Sequence, residues 1–152
     1  VTLRDNLSDY LSAMSRYKLT LNMFQPSPAC PCSVGEKAGA STTLNHISTI
    51  YDARGNYDTA LDYLKRSLKI HQKIGDKSGE GGTLNNISSI YDARGDYDTA
   101  LDYLKRSLEI QQKIGDKSGE GTTLKNISSI YDARGDYDNA IHNLKHSLPN
   151  RQ

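Results

Sequence analysis

The sequence predicts an all-α fold, an α-solenoid of stacked antiparallel helix pairs. Three observations lead there. The phrase IYDARGDYD at residues 90–98 returns letter for letter at 130–138, and with one change, IYDARGNYD, at 50–58. Residues 41–80 laid under 81–120 without a gap differ at only seven positions, and residues 121–148 continue the pattern. Inside each unit, apolar residues recur at helical spacing on both sides of a single glycine followed by Asp or Asn. A fixed period of this length belongs to repeat arrays, whose units bury their apolar faces only by stacking on neighbours.

In chain order, the first segment is a degenerate repeat over residues 1–40. In the same register Ala13 falls under Ala53, Tyr17 under Tyr57, Leu21 under Leu61, and VGEKAG at 34–39 under IGDKSG at 74–79. Its second half reads PSPACPCSV, with Pro26, Pro28 and Pro31 where later copies have helix-compatible residues. Because proline removes a helical donor and clashes with the preceding turn, the expectation is a helix over roughly residues 3–15, a short helical turn near Leu21 and Phe24, and an irregular loop from Pro26 to Val34. Units at 41–80, 81–120 and a truncated 121–152 follow.

In the unit 81–120, the stretch TLNNISSIYDAR places Leu84, Ile87, Ile90 and Tyr91 on one arc of roughly 120°, with Asn85, Asn86, Ser89, Asp92 and Ala93 opposite. Gly95 is suited to end that helix in the left-handed conformation, and Asp96 to cap the next, with Asp98 in its first turn. The second helix, YDTALDYLKRSLEIQQKI, carries Tyr97, Ala100, Leu101, Leu104 and Leu108 on one stripe, widened by Tyr103, Ile110 and Ile114. A stripe so wide serves a partner helix and the next repeat together. Gly115 closes this helix and Asp116 caps the following one. Gly79, Gly81 and Gly82 each cost up to about 1 kcal/mol against Ala, so fraying is expected at the start of that unit's first helix.

Composition narrows the function classes. The chain has 152 residues, a formal net charge of +1 and 24% charged residues, which gives no general attraction to nucleic acid or anionic membranes. Apolar runs fall far short of the roughly 20 residues needed to span a bilayer, nothing resembles a signal peptide, and a cytoplasmic location is the default expectation. The chain opens at Val1 rather than Met, as a piece of a longer protein would.

The residues resemble the tetratricopeptide repeat family. Its pattern of a large apolar residue, a Leu-Gly pair, a Tyr, an Ala and a second large residue is met by Leu84, Ile87-Ser88, Tyr91, Ala100 and Leu104, and GDYD at 95–98 is similar to its usual turn. Departures are Ser88 for Gly, Ser107 for a small Ala, and QQKIGDKSGE in place of the closing Pro. The longer second helix resembles the forty-residue variants of kinesin light chains and LGN-type adaptors. Propellers of the WD40 type would need strands and a WD signature, and HEAT or armadillo repeats lack this turn chemistry.

Catalysis is not expected. His46, His71, His142 and His146 never recur at equivalent positions, and Asp52, Asp92 and Asp132 lie one full repeat apart, too far to act as an acid–base pair on one bond. His142 and His146 are spaced as a metal pair would be, but no third ligand is evident, and Cys30 and Cys32 form a C-P-C without partner ligands. Neither a metal nor another cofactor is expected.

The resemblance implies that the first helices line the concave side of a right-handed superhelix and bind a protein or extended peptide. Carried onto this chain, the groove is Thr42, Asn45, His46, Thr49 and Asp52; then Gly82, Asn85, Asn86, Ser89 and Asp92; then Thr122, Lys125, Asn126, Ser129 and Asp132. Side-chain amides such as Asn86 and Asn126 both donate and accept, as pairing with a peptide main chain requires. The bland reading of these amides is a solvated face or inter-helix packing. RNA binding would call for cations and aromatics here, and only Lys125 answers. A structural, self-assembling array is the reading from a different class. At the end of the sequence Asn143 and His146 stand where the previous unit has Tyr103 and Arg106, as in a capping repeat at a natural terminus, yet Ile141, Leu144 and Leu148 keep an apolar stripe. Weak homodimerisation through a terminal repeat is therefore expected.

Overall fold

The computed structural model describes residues 33–149. Two compact units divide the chain at Ser33/Val34, and the described residues from Val34 onward belong to the second. The helix expected near residues 3–15, the turn at Leu21 and Phe24, the Pro-rich loop and the Cys30/Cys32 pair all lie outside them. Val34, where that loop was expected to end, opens the first described helix.

Six helices and no strand are present among the described residues: α1 (Val34–Ala53), α2 (Tyr57–Ile74), α3 (Lys77–Ala93), α4 (Tyr97–Ile114), α5 (Lys117–Ala133) and α6 (Tyr137–Ser147). They pack as the pairs α1/α2, α3/α4 and α5/α6, with α2 against α3 and α4 against α5 joining one pair to the next. Within a pair the helices run antiparallel. Ser128 on α5 donates to the Ala140 carbonyl near the turn of one pair, whereas Ser107 on α4 reaches the Gly81 carbonyl at the far end of another.

Local chemistry sets the boundaries. Gly95 takes φ 76°, and the Asp96 and Gly95 N–H groups bond the carbonyls of Tyr91 and Asp92 at 2.9 and 2.8 Å, which closes α3 and turns the chain at once. Asp96 then accepts from the Thr99 N–H at 3.2 Å. Asp76 and Asp116 cap α3 and α5 by accepting from the N–H groups of Gly79 and Gly119, each at 2.9 Å.

Where fraying was expected at the glycines before Leu84, α3 has helical geometry from Lys77 onward. Gly79 is there for space. A Cβ at that position would run into the Asp76 carboxylate and the His71 ring, and one at Gly119 would meet Asp116. The glycine is what lets the capping carboxylate lie against the first turn.

The core repeats with the sequence. Ala60, Leu61 and Leu64 of α2 enclose Ile87 and Ile90 of α3, and Ala100, Leu101 and Leu104 of α4 enclose Ile127 and Ile130 of α5. Tyr51 stacks on Tyr63 and Tyr91 on Tyr103, both at 5.6 Å. Ser107, which departs from the family's small Ala, is fully buried and satisfied by its 2.8 Å bond to Gly81.

Candidate functional site: the polar face of the first helices

Helices α1, α3 and α5 carry the same five polar positions, and the structure sorts them into three kinds. Thr42, Thr49, Ser89 and Thr122 each donate to a carbonyl four residues back, at 3.1–3.2 Å, so their hydroxyl protons are engaged and only their lone pairs face outward. Ser129, in the same row as Thr49 and Ser89, is exposed, as is Gly82 in the row of Thr42 and Thr122. Asp52 and Asp92 are half-buried and Asp132 is exposed. No group of three or more His, Cys, Asp or Glu among the described residues could hold a metal ion.

The Asn rows divide. Asn45 donates through Nδ2 to the Thr83 hydroxyl at 3.4 Å, and Asn85 donates to the Thr123 hydroxyl at 2.9 Å. Both bonds link first helices of adjacent repeats. Thr83 and Thr123 are fully buried, and Thr123 is shared with the Gln111 amide oxygen at 2.7 Å. At the third position of this row stands Lys125, which is exposed. The neighbouring row is His46, Asn86 and Asn126. His46 and Asn86 are exposed and Asn126 is half-buried, and neither Asn86 nor Asn126 bonds another side chain or backbone group among the described residues.

Adjacent repeats are also joined at the edge of this face. Arg94 pairs with Asp58 and lies over the Tyr57 ring, and Arg134 pairs with Asp98 at 2.9 Å. Sequence reasoning missed these links and the buried Thr83 and Thr123. The signal was present, since the Thr, the Arg and the Asp recur in every described unit, but in near-identical copies everything recurs and nothing is singled out.

Two carboxyls are tuned by the joints. At Glu80 burial acts to raise the carboxyl, yet hydrogen bonds from Lys77 and Gln72, with the charges of Lys77 and Arg106, outweigh it and hold Glu80 below its ordinary value. Glu120 is also held low, chiefly by its hydrogen bond from Lys117, against burial and with help from Gln112 and the Lys117 charge. These are structural ion pairs at helix starts.

A stack of helix pairs with a continuous polar face is a helical-repeat protein. Tetratricopeptide repeat patterns match residues 41–74 and 79–152, and the chain belongs to that family. The family's arrays are generally protein-interaction scaffolds without catalysis. Among solved structures, BtubC (BKLC) from P. vanneervenii superposes with a TM-score of 0.67 at 20% identity, over 78% of this chain and 54% of that one. The chain thus spans about half the length of BtubC. The tetratricopeptide domain of Arabidopsis FLU gives 0.66 at 18% identity, over 73% and 93% of the two chains. A putative kinesin light chain from Podospora anserina, described as having nearly identical repeats of this type, gives 0.60 at 14% identity over 95% of this chain and 67% of that one. At these identities the likeness shows the fold alone. Comparison with curated proteins returns no match. No helix among the described residues is long and apolar enough to cross a membrane.

Proposed function

We propose that the chain is a non-catalytic cytoplasmic scaffold that holds an extended peptide or protein segment along the concave face formed by α1, α3 and α5, with no role in nucleic-acid or membrane binding. The observation that carries this is the pair Asn86 and Asn126, at equivalent positions of α3 and α5 and without intramolecular partners among the described residues. An amide at each repeat can donate to and accept from a peptide main chain, so affinity accumulates along the array. Asp52, Asp92 and Asp132, with exposed His46 and Lys125, set the charge that side chains of the ligand would meet. Asn45 and Asn85 act differently in this reading, as joints that hold the first helices in register.

The test uses a peptide selected from a displayed library on the wild-type chain. Asn86→Ala with Asn126→Ala is expected to weaken its binding by about 1–3 kcal/mol with helicity and Tm unchanged. Asn85→Ala is expected to lower Tm instead. Unchanged affinity in the double variant would move the ligand to another face.

A further inference from the structure

Among the described residues, α1 and α6 expose apolar side chains whose equivalents on the other helices are buried in a joint between repeats. Inside the chain that joint is made twice. Isoleucines of a first helix enter the stripe of the preceding second helix, and the arginine at the end of that first helix pairs with the preceding aspartate, Arg94 also lying over the Tyr57 ring. Ile90 and Ile130 are each 2% exposed in their sockets, but the equivalent Ile50 on α1 is 57% exposed. At the other end Leu64 and Leu104 are at most 1% exposed, whereas the equivalent Leu144 on α6 is 46% exposed and Ile141 is 50% exposed. An open groove runs along this edge, with Tyr137, Ala140, Ile141 and Leu144 of α6 on one wall and Lys125, Ser128, Ser129 and Asp132 of α5 on the other. The charged halves match as well. Arg54 corresponds to Arg94 and Asp138 to Asp98, and neither forms an ion pair among the described residues.

We propose that the occupant of the α6 groove is α1 of a second copy of this chain, joined head to tail, with Ile50 between Ile141 and Leu144 and Arg54 on Tyr137 and Asp138. Complementarity with the internal joints supports this, since Ile50, Arg54, Tyr137, Asp138, Ala140 and Leu144 match Ile90, Arg94, Tyr57, Asp58, Ala60 and Leu64, with Ile141 in place of Leu61 and Lys125 where Asn45 and Asn85 bond threonine. The interface is heterologous, because the surface given differs from the surface received, so association continues into chains of molecules rather than closing as a symmetric pair. One such joint is small beside a stable protein interface, which places the association in the range of about 0.1–1 mM. The groove shares Lys125, Ser129 and Asp132 with the polar face, but the residues varied here are Ile50 and Leu144 and those varied for peptide binding are Asn86 and Asn126, so the two readings fail separately.

Sedimentation of the full chain between about 10 µM and 1 mM tests it. The wild type is expected to show a concentration-dependent series beyond dimer. Ile50→Asp and Leu144→Asp each place a charge in the apolar contact and are expected to weaken association roughly 100-fold, with helicity by circular dichroism unchanged because both side chains are exposed. Mixing the two variants leaves one intact joint per pair, so the mixture is expected to form a dimer and nothing larger. Should either variant lose helicity, Arg54→Asp and Asp138→Arg replace them; each is expected to weaken association roughly tenfold, and the double variant to restore it. A wild type that stays monomeric at about 1 mM overturns the proposal. So does association lost in Leu144→Asp but kept in Ile50→Asp, which would mean a symmetric contact of α6 with itself. Lower Tm in Ile50→Asp with unchanged association would mean that another segment of the same chain covers Ile50, and would overturn it too.

Discussion

His71 and Gln111 occupy the same position of successive repeats, and the difference between them shows how closely a buried polar site must be matched. Gln111 accepts from Thr123 at 2.7 Å, and Thr123 in turn meets both atoms of the Asn85 amide. In the preceding repeat His71 bonds Asp76 through Nδ1 at 2.9 Å, and its Nε2 is buried without a partner, as is Oδ1 of Asn45. An unmade buried hydrogen bond costs on the order of 1–3 kcal/mol, and an exchanged one returns about 1. His71→Gln should therefore re-create the Gln111 arrangement around Thr83 and raise stability by about 1 kcal/mol, read as a higher Tm in thermal unfolding. A fall in Tm would mean that the bond to Asp76 outweighs the two orphaned atoms.

At the scale of one helix, glycines of the same segment have opposite roles. Gly79 and Gly82 both lie in α3, three residues apart, and helix propensity alone treats them alike. A methyl on Gly82 would have nothing within 4 Å, whereas one on Gly79 would meet His71 and the Asp76 cap. Gly82→Ala is expected to stabilise by about 0.5–1 kcal/mol, and Gly79→Ala to destabilise by about 1–3 kcal/mol as the cap is displaced. Chemical denaturation of the two variants separates these outcomes. Thr122, at the position of Gly82 in α5, shows that a side chain is accommodated there. Propensity made both glycines look like weak points; the packing of α2 against α3 distinguishes them.

For the whole molecule, stability is shared among joints, and the acid side of its pH profile should report them. Glu80 and Glu120 are held below their ordinary values in the fold. A carboxyl depressed by folding contributes stability that is fully present above its unfolded value of about 4.3 and is lost as pH falls through the lower folded value. The chain should thus lose stability below about pH 4, and Glu80→Gln should lower stability at pH 7 while bringing little change at about pH 2. Urea midpoints measured across that range check the sign. If Glu80→Gln costs the same at both ends, the side chain acts through packing and not through its charge.

Helix positions, turns and caps were legible in the residues themselves, because they depend on neighbours within a few places in the chain. The Gly95 turn, the Asp96 and Asp116 caps and the stripe of Ala100, Leu101 and Leu104 all stand where local pattern put them. The polar face of the first helices was legible in the same way, as a row of side chains away from the core. What pattern could not do was tell Asn85 from Asn86, adjacent polar residues on one side of one helix. Only the approach of α5 to α3 brings Thr123 within 2.9 Å of Asn85 and leaves Asn86 open. The same holds for Ile50, which reads like Ile90 and Ile130 in sequence but is exposed in the fold. Periodicity specifies which residues face a neighbour; whether a neighbour is there, and how near it comes, is decided by tertiary packing, since hydrogen bonds and burial depend on distances that a repeat unit does not contain.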